Sequence, residues 1–207
     1  IGVRSLPVIL LSSAFIGMVF ALETFYALRK FGAETMVGAS LALAMARELG
    51  PVFTAVMLTA RAGSAMAAEL GTMRVTEQID ALEAMAVNPI SYLVVPRIMG
   101  STLLAPILTG ISDFIGIVGG YVIGVLVLGI NAGAFVSNIE KYLEVTDIYY
   151  GLLKAAVFGF LLALICCYKG YSVRGGAEGV GRATTESVVF SMVMILVADY
   201  ILTALLF

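Results

Sequence analysis

Long apolar runs separated by short polar connectors set the pattern of this chain. Five such runs cover about 6–28, 36–70, 92–129, 149–168 and 183–207. Within them the apolar residues are continuous rather than alternating. A helix, which keeps its backbone hydrogen bonds internal, is therefore the element expected in each. The second and third runs hold about 35 and 38 residues, and at ~1.5 Å per residue both exceed a hydrocarbon core of about 30 Å. Each must tilt, break or project into water, and Gly50-Pro51 and Ala105-Pro106 are the expected break points.

One connector breaks the pattern. Residues from Arg74 to Pro89 form a polar island in which Val75, Ile79, Leu82 and Ala86 fall on one stripe at about 100° per residue. Glu77, Asp80 and Glu83 fall largely opposite, and Asn88-Pro89 closes the segment because the residue before proline is pushed out of the α region. The expected element is an amphipathic helix over about 72–87, outside the bilayer. A connector lying on the headgroups is the plainer reading, but helices of that kind carry Lys and Arg on their polar face. This one carries three carboxylates, with Arg74 only at its start. A protein partner suits it better than lipid.

Composition agrees with membrane burial. The chain is 61% hydrophobic and 13% charged, against about 45–50% and 25% in soluble domains, and its mean hydropathy is +1.05. The expected fold class is an all-α, polytopic integral membrane protein with five transmembrane helices, a single domain over residues 1–207. A net charge of −2 without a basic run gives no footprint for nucleic acid. The sequence contains no histidine and only the adjacent pair Cys166-Cys167. It therefore offers neither a metal constellation nor a disulfide framework.

Placing Ile1 in the cytoplasm makes 71–91 and 169–182 cytoplasmic and 29–35 and 130–148 external. The inner side then holds Arg4, Arg74, Arg97, Lys169, Arg174 and Arg182, against Arg29, Lys30, Lys141 and Lys154 outside. Small residues recur four apart at Ser112, Gly116, Gly120 and Gly124, at Gly38, Ala42, Ala46 and Gly50, and at Gly63, Ala67 and Gly71. Such stripes serve helix packing within the chain, and one of them is available for a homodimer contact. Glu23, Arg47, Glu48, Arg61, Asp113 and Asp199 fall within apolar runs, where an ionised group costs about 3 kcal/mol at a helix centre. Each must face protein or water. Arg61 is expected to pair with an acid such as Asp199 or to bind an anionic headgroup, and Arg47-Glu48 to lie at the external rim.

Two motifs invite catalytic readings and support neither. The loop from Gly175 to Gly181 lacks the Gly-Lys-Ser/Thr ending of a phosphate loop and follows a membrane helix, so a flexible turn is expected, with Thr184 or Thr185 capping the last helix. Ser64 lies beside Gly63, but no histidine exists to activate it.

The run from Glu69 to Pro89 (ELGTMRVTEQIDALEAMAVNP), followed by Tyr92-Leu-Val-Val-Pro-Arg97, closely resembles the signature of MlaE/YrbE-type ABC transporter permeases. Glu48-Leu-Gly-Pro51, Ala60-Arg-Ala-Gly63 with Ala67-Ala-Glu69, and Gly181-Arg-Ala-Thr-Thr185 resemble it too. The resemblance covers essentially the whole chain. It departs at the N-terminus, where family members carry an additional interfacial helix before the first span.

That resemblance implies a homodimeric, multi-pass permease of the bacterial inner membrane. It implies two cytoplasmic ABC ATPase subunits, which bind ATP and Mg, and a periplasmic MCE-domain protein, with a STAS-domain accessory protein as a further partner. The cargo implied is phospholipid, moved between inner and outer membranes to maintain outer-membrane lipid asymmetry. The polar island becomes the coupling helix, with Glu69, Met73, Arg74, Glu77, Gln78, Asp80 and Leu82 at the matching positions. No cofactor and no catalytic residue is expected in this chain itself. The first and last helices become the lining of a lipid cavity, with Leu22, Tyr26, Tyr200 and Phe207 as candidates beside Arg61. An interfacial aromatic belt is the alternative for the aromatic ones. An ion-gradient-driven transporter and a non-transporting membrane scaffold are the rival functions.

Overall fold

The computed structural model describes residues 2–206, with side chains from Ser5 to Leu206. Arg4 and Phe207 therefore fall outside the described side chains. Every element among the described residues is helical: α1 (Gly2–Arg29), α2 (Glu34–Val75), α3 (Gln78–Ala84), α4 (Ile90–Val127), α5 (Ala132–Tyr142), α6 (Val145–Tyr171) and α7 (Gly176–Leu206). Helices α1, α2, α4, α6 and α7 are long and apolar enough to cross a membrane. The chain is the all-α polytopic membrane protein expected.

The long helices solve their excess length differently from the expectation. Helix α2 runs 42 residues without a break. It contains two wide π-type turns, Met45–Leu49 and Thr59–Gly63. The first lies immediately ahead of Gly50-Pro51, where it absorbs the proline, so the helix is widened rather than broken. Pro106 lies inside the regular helix Val95–Tyr121 and does not interrupt it. Wide turns instead mark the two ends of α4, at Ile90–Val94 and Val122–Val127.

Two connectors are more ordered than their composition suggests. The stretch 130–148 contains α5, whose first turn is capped by Asn131 Oδ1 accepting from the backbone N of Ala134 at 3.1 Å. Helix α7 begins at Gly176, so most of the expected glycine turn is helix. Thr184 and Thr185 lie inside it and donate back to the carbonyls of Val180 (2.8 Å) and Gly181 (3.2 Å) rather than capping its start.

The chain forms two compact units. One comprises residues 6–54 and 107–154. Its core joins Ala21, Phe25, Val37, Leu41, Met45, Ile130 and Phe135, with the Phe135 ring edge-on to Tyr121 at 5.5 Å. Helices α1 and α4 cross here at glycines: a Cβ on Gly17 would fall on the carbonyl of Gly116, and one on Gly119 would crowd the backbone of Ala14. Beside this crossing Ser13 and Ser112 share a hydrogen bond of 2.6 Å. The small-residue stripe of α4 thus packs within the chain.

The other unit comprises residues 1–5, 55–106 and 155–207. Leu58, Met66, Leu70, Phe158, Leu162, Cys166, Cys167 and Ile195 are buried in it. Gly170 lies against the backbone of Ala67, and Gly63 lies against the Cys166 sulfur. The opposite face of α7 stays open, exposing Val189, Val193, Leu196 and Tyr200.

Candidate functional site

The polar island is built by a backbone break rather than by one amphipathic helix. Thr72, Met73, Arg74 and Val75 are the last residues of α2. Glu77 then adopts φ 57°, α3 takes seven residues, and Ala86 adopts φ 60°. A left-handed conformation costs a residue with a side chain about 1–2 kcal/mol, so the turns on both sides of α3 are held by their surroundings. Ile79, wholly buried, anchors the short helix, and Leu82 is half-buried. Glu77, Gln78, Asp80 and Glu83 are exposed, as the acidic face requires. Val75 and Ala86, expected on the apolar stripe, are exposed as well, because the breaks at Glu77 and at Ala86 itself take them off the face that carries Ile79.

Arg74 joins the island to α2. Its Nη1 donates to Asp80 Oδ1 at 2.7 Å, and its guanidinium stands over the Tyr171 ring at the end of α6, 5.8 Å from the centroid. Asn88 Oδ1 accepts from the backbone N of Ile90 and Ser91 at 3.0 and 3.3 Å, fastening the other end to the start of α4. Exposed Met85, Val87 and Ile90 add apolar surface beside the carboxylates. Glu69 and Met73 lie on α2 above the island. Glu69 pairs with Arg97 at 3.0 Å, and Met73 is half-buried.

A separate apolar cleft of about 610 Å³ opens between α1 and α2, lined by Phe15, Ile16, Val19, Phe20, Glu23, Thr24, Ala27, Leu49 and Phe53. Eight of these nine side chains carry no charge, and Phe15 and Val19 are more than half exposed. The cleft suits acyl chains. Leu22 and Tyr26 are exposed on α1, and Tyr200 is 77% exposed on α7; neither they nor Arg61 line this cleft. Phe207 lies outside the described residues. Sequence reasoning missed Phe15, Val19 and Phe53, although their presence on adjacent apolar runs was visible.

Next to Leu49 lies an ion-pair cluster. Arg47 Nη2 meets Asp147 Oδ1 at 2.7 Å, and Lys154 Nζ meets Glu48 Oε2 at 2.7 Å. Lys154 is wholly buried and also donates to the carbonyl of Arg47 at 3.0 Å. That carbonyl stands four residues before Pro51, which has no N–H to give it. Gly151, one turn earlier on α6, has no Cβ to clash with the carbonyl of Ala46, so the two helices approach closely enough for the lysine to reach. Expected on the external rim, Arg47 and Glu48 are tied into the protein, and Lys154, counted on the external side, lies inside helix α6. The signal available in the sequence was a lysine within an apolar run.

Five helices long and apolar enough to cross a membrane, an apolar cleft between α1 and α2 and an exposed acidic linker are features that suit a membrane permease. The profile of the family described as Permease MlaE matches residues 1–205, and the chain belongs to that family. It is 45% identical over 207 residues to a probable ABC transporter permease protein of Rickettsia conorii, covering all of this chain and 80% of that protein. A probable ABC transporter permease protein of Synechocystis is 43% identical over 207 residues, all of this chain and 79% of that protein. The intermembrane phospholipid transport system permease protein MlaE of Haemophilus influenzae is 41% identical over 208 residues, again all of this chain and 80% of that protein.

Proposed function

We propose that this chain is the membrane subunit of an ATP-driven phospholipid transporter working between inner and outer membranes. It sits in the bacterial inner membrane as a homodimer. Family membership and the name of the Haemophilus influenzae relative support the phospholipid reading, and the cleft of about 610 Å³ between α1 and α2 supplies apolar surface for acyl chains. Cytoplasmic ATPase subunits hold ATP and Mg, and a periplasmic MCE-domain protein receives or delivers the lipid; a STAS-domain protein completes the set.

The observation that carries the coupling is the Arg74–Asp80 tie, 2.7 Å between a seven-residue exposed helix and the end of the 42-residue α2. An ATPase that grips Glu77, Gln78 and Asp80 pulls directly on α2, because α3 joins it through only Thr76 and Glu77. Rigid-body movement of a partner thus becomes movement of a membrane helix. The test is charge reversal, Glu77→Lys with Asp80→Lys, in the reconstituted complex. Lipid-stimulated ATP hydrolysis is expected to fall at least about tenfold, the effect of losing charge-assisted contacts of about 1.5 kcal/mol or more, while the dimer persists. Unchanged coupling refutes the assignment, and lipid movement without ATP under an ion gradient replaces it with a gradient-driven transporter.

A further inference from the structure

Arg61 is the exposed cation of α2 with no ion pair among the described residues. It sits in the wide turn Thr59–Gly63, inside the membrane-spanning stretch, and the expected pairing with Asp199 is not formed. A guanidinium at that position needs an anion or water. Around it lies a cleft of about 340 Å³ lined by Ser5, Arg61, Ala62, Ala65, Met66, Glu69 and Arg97. It shares no residue with the apolar cleft of Phe15 and Phe53. Ala62 and Ala65 leave the room, and the charged lining is two guanidinium groups against one carboxylate.

Arg97 is already oriented. Its Nη2 donates to Glu69 Oε2 at 3.0 Å and its Nη1 to the carbonyl of Leu93 at 3.3 Å. The Arg97 side chain is only 19% exposed, whereas Glu69 is 65% exposed. Glu69 therefore spends its charge on holding Arg97 in place, and Arg61 is left to face an incoming anion. At ~1.5 Å per residue, Arg97 stands about 10 Å into α4 from Ile90, and Arg61 about 21 Å along α2 from Val75. Arg61 is thus nearer the 76–89 connector than the Glu34 end of α2, and a long side chain there bends toward the interface to meet a lipid phosphate.

We propose that this cleft binds the phosphate of an anionic membrane lipid, in the leaflet facing the 76–89 connector. Arg61 is its principal ligand, and Arg97, positioned by Glu69, is the second. A planar fork of donors matches the phosphate oxygens better than a lysine does. The inference is independent of the transport reading, since it requires only that the chain lie in a bilayer.

The test places the full chain, with its co-purifying subunits, in nanodiscs of phosphatidylcholine containing a minor fraction of phosphatidylglycerol. Native mass spectrometry then counts retained phosphatidylglycerol. Wild type is expected to retain it above its bulk fraction, with about tenfold less enrichment in Arg61→Gln and a smaller loss in Arg61→Lys and Arg97→Gln. No enrichment in wild type, or equal enrichment in wild type and Arg61→Gln, overturns the proposal whatever the variants do to folding. Displacement of the lipid by inorganic phosphate overturns it in favour of a soluble anion. Loss of dimer in Arg61→Gln with lipid retention unchanged overturns it in favour of an ion pair to a second copy.

Discussion

Replacing Lys154 with methionine removes a wholly buried ammonium while keeping most of its volume. The Glu48 carboxylate and the Arg47 carbonyl each lose this donor, at 2.7 and 3.0 Å. Truncating one partner of a fully buried pair costs about 3–5 kcal/mol. Here Glu48 is 36% exposed, so it turns away and recovers part of that cost. Hydrogen bonds between membrane helices average about 0.6 kcal/mol and reach about 1.7. A buried carbonyl left without a donor adds about 1 kcal/mol. Lys154→Met is therefore expected to destabilise the chain by about 2–3 kcal/mol. Titrating the protein from bicelles into SDS while following helicity and tertiary fluorescence measures this. Adding Glu48→Gln closes the cycle: the double variant is expected to recover about 1 kcal/mol relative to additivity, because a neutral amide suffers less from the missing ammonium. A loss under about 0.5 kcal/mol in Lys154→Met, or strict additivity, refutes the view that this lysine holds the wide turn of α2.

Other substitutions read other contacts. Gly17→Leu drives a side chain into the Gly116 carbonyl and is expected to cost at least about 1–3 kcal/mol by overpacking, seen as a lowered SDS midpoint, whereas Val19→Leu, on the exposed face of α1, leaves it unchanged. Asn131→Ala removes the α5 cap at a cost of about 1 kcal/mol, raising amide exchange in 132–142 and little elsewhere. Phe53→Asp places a charge in the apolar cleft and is expected to reduce co-purifying phospholipid at least about tenfold, since burying a carboxylate costs well over 1.4 kcal/mol. Unchanged lipid content in that variant places the acyl chains elsewhere.

Continuous apolarity was enough to find the five spans, because the bilayer demands internal hydrogen bonding over a fixed length whatever the tertiary arrangement. Details that depend on partners were hidden. Pro51 and Pro106 look alike in the chain. Only the first has a wide turn ahead of it and a lysine from α6 on the carbonyl it leaves bare, while the second sits in regular helix. The acidic face of the polar island follows from angular spacing, but its division at Glu77 does not, since a non-glycine left-handed residue has no periodic signature. Helix α5 was concealed by short length and mixed polarity, although Asn131 marked its start. The lining of the apolar cleft depends on which faces of α1 and α2 meet, so Phe15 and Phe53 were indistinguishable in the sequence from lipid-facing aromatics.

A wide turn holds about one residue more than an α-helical turn, so everything beyond it is rotated by about 100° from where an unbroken count would place it. Helix α2 contains two such turns, and each puts the residues that follow it about 100° out of step with those just before it. A scan of single substitutions along α2 is expected to show a clean 3.6-residue rhythm within each regular run and no common phase between neighbouring runs. Removing one residue from Thr59–Gly63 would then act less as a truncation than as a twist. Glu69 and Arg74 would both be re-aimed at once, with every other side chain on the helix still present.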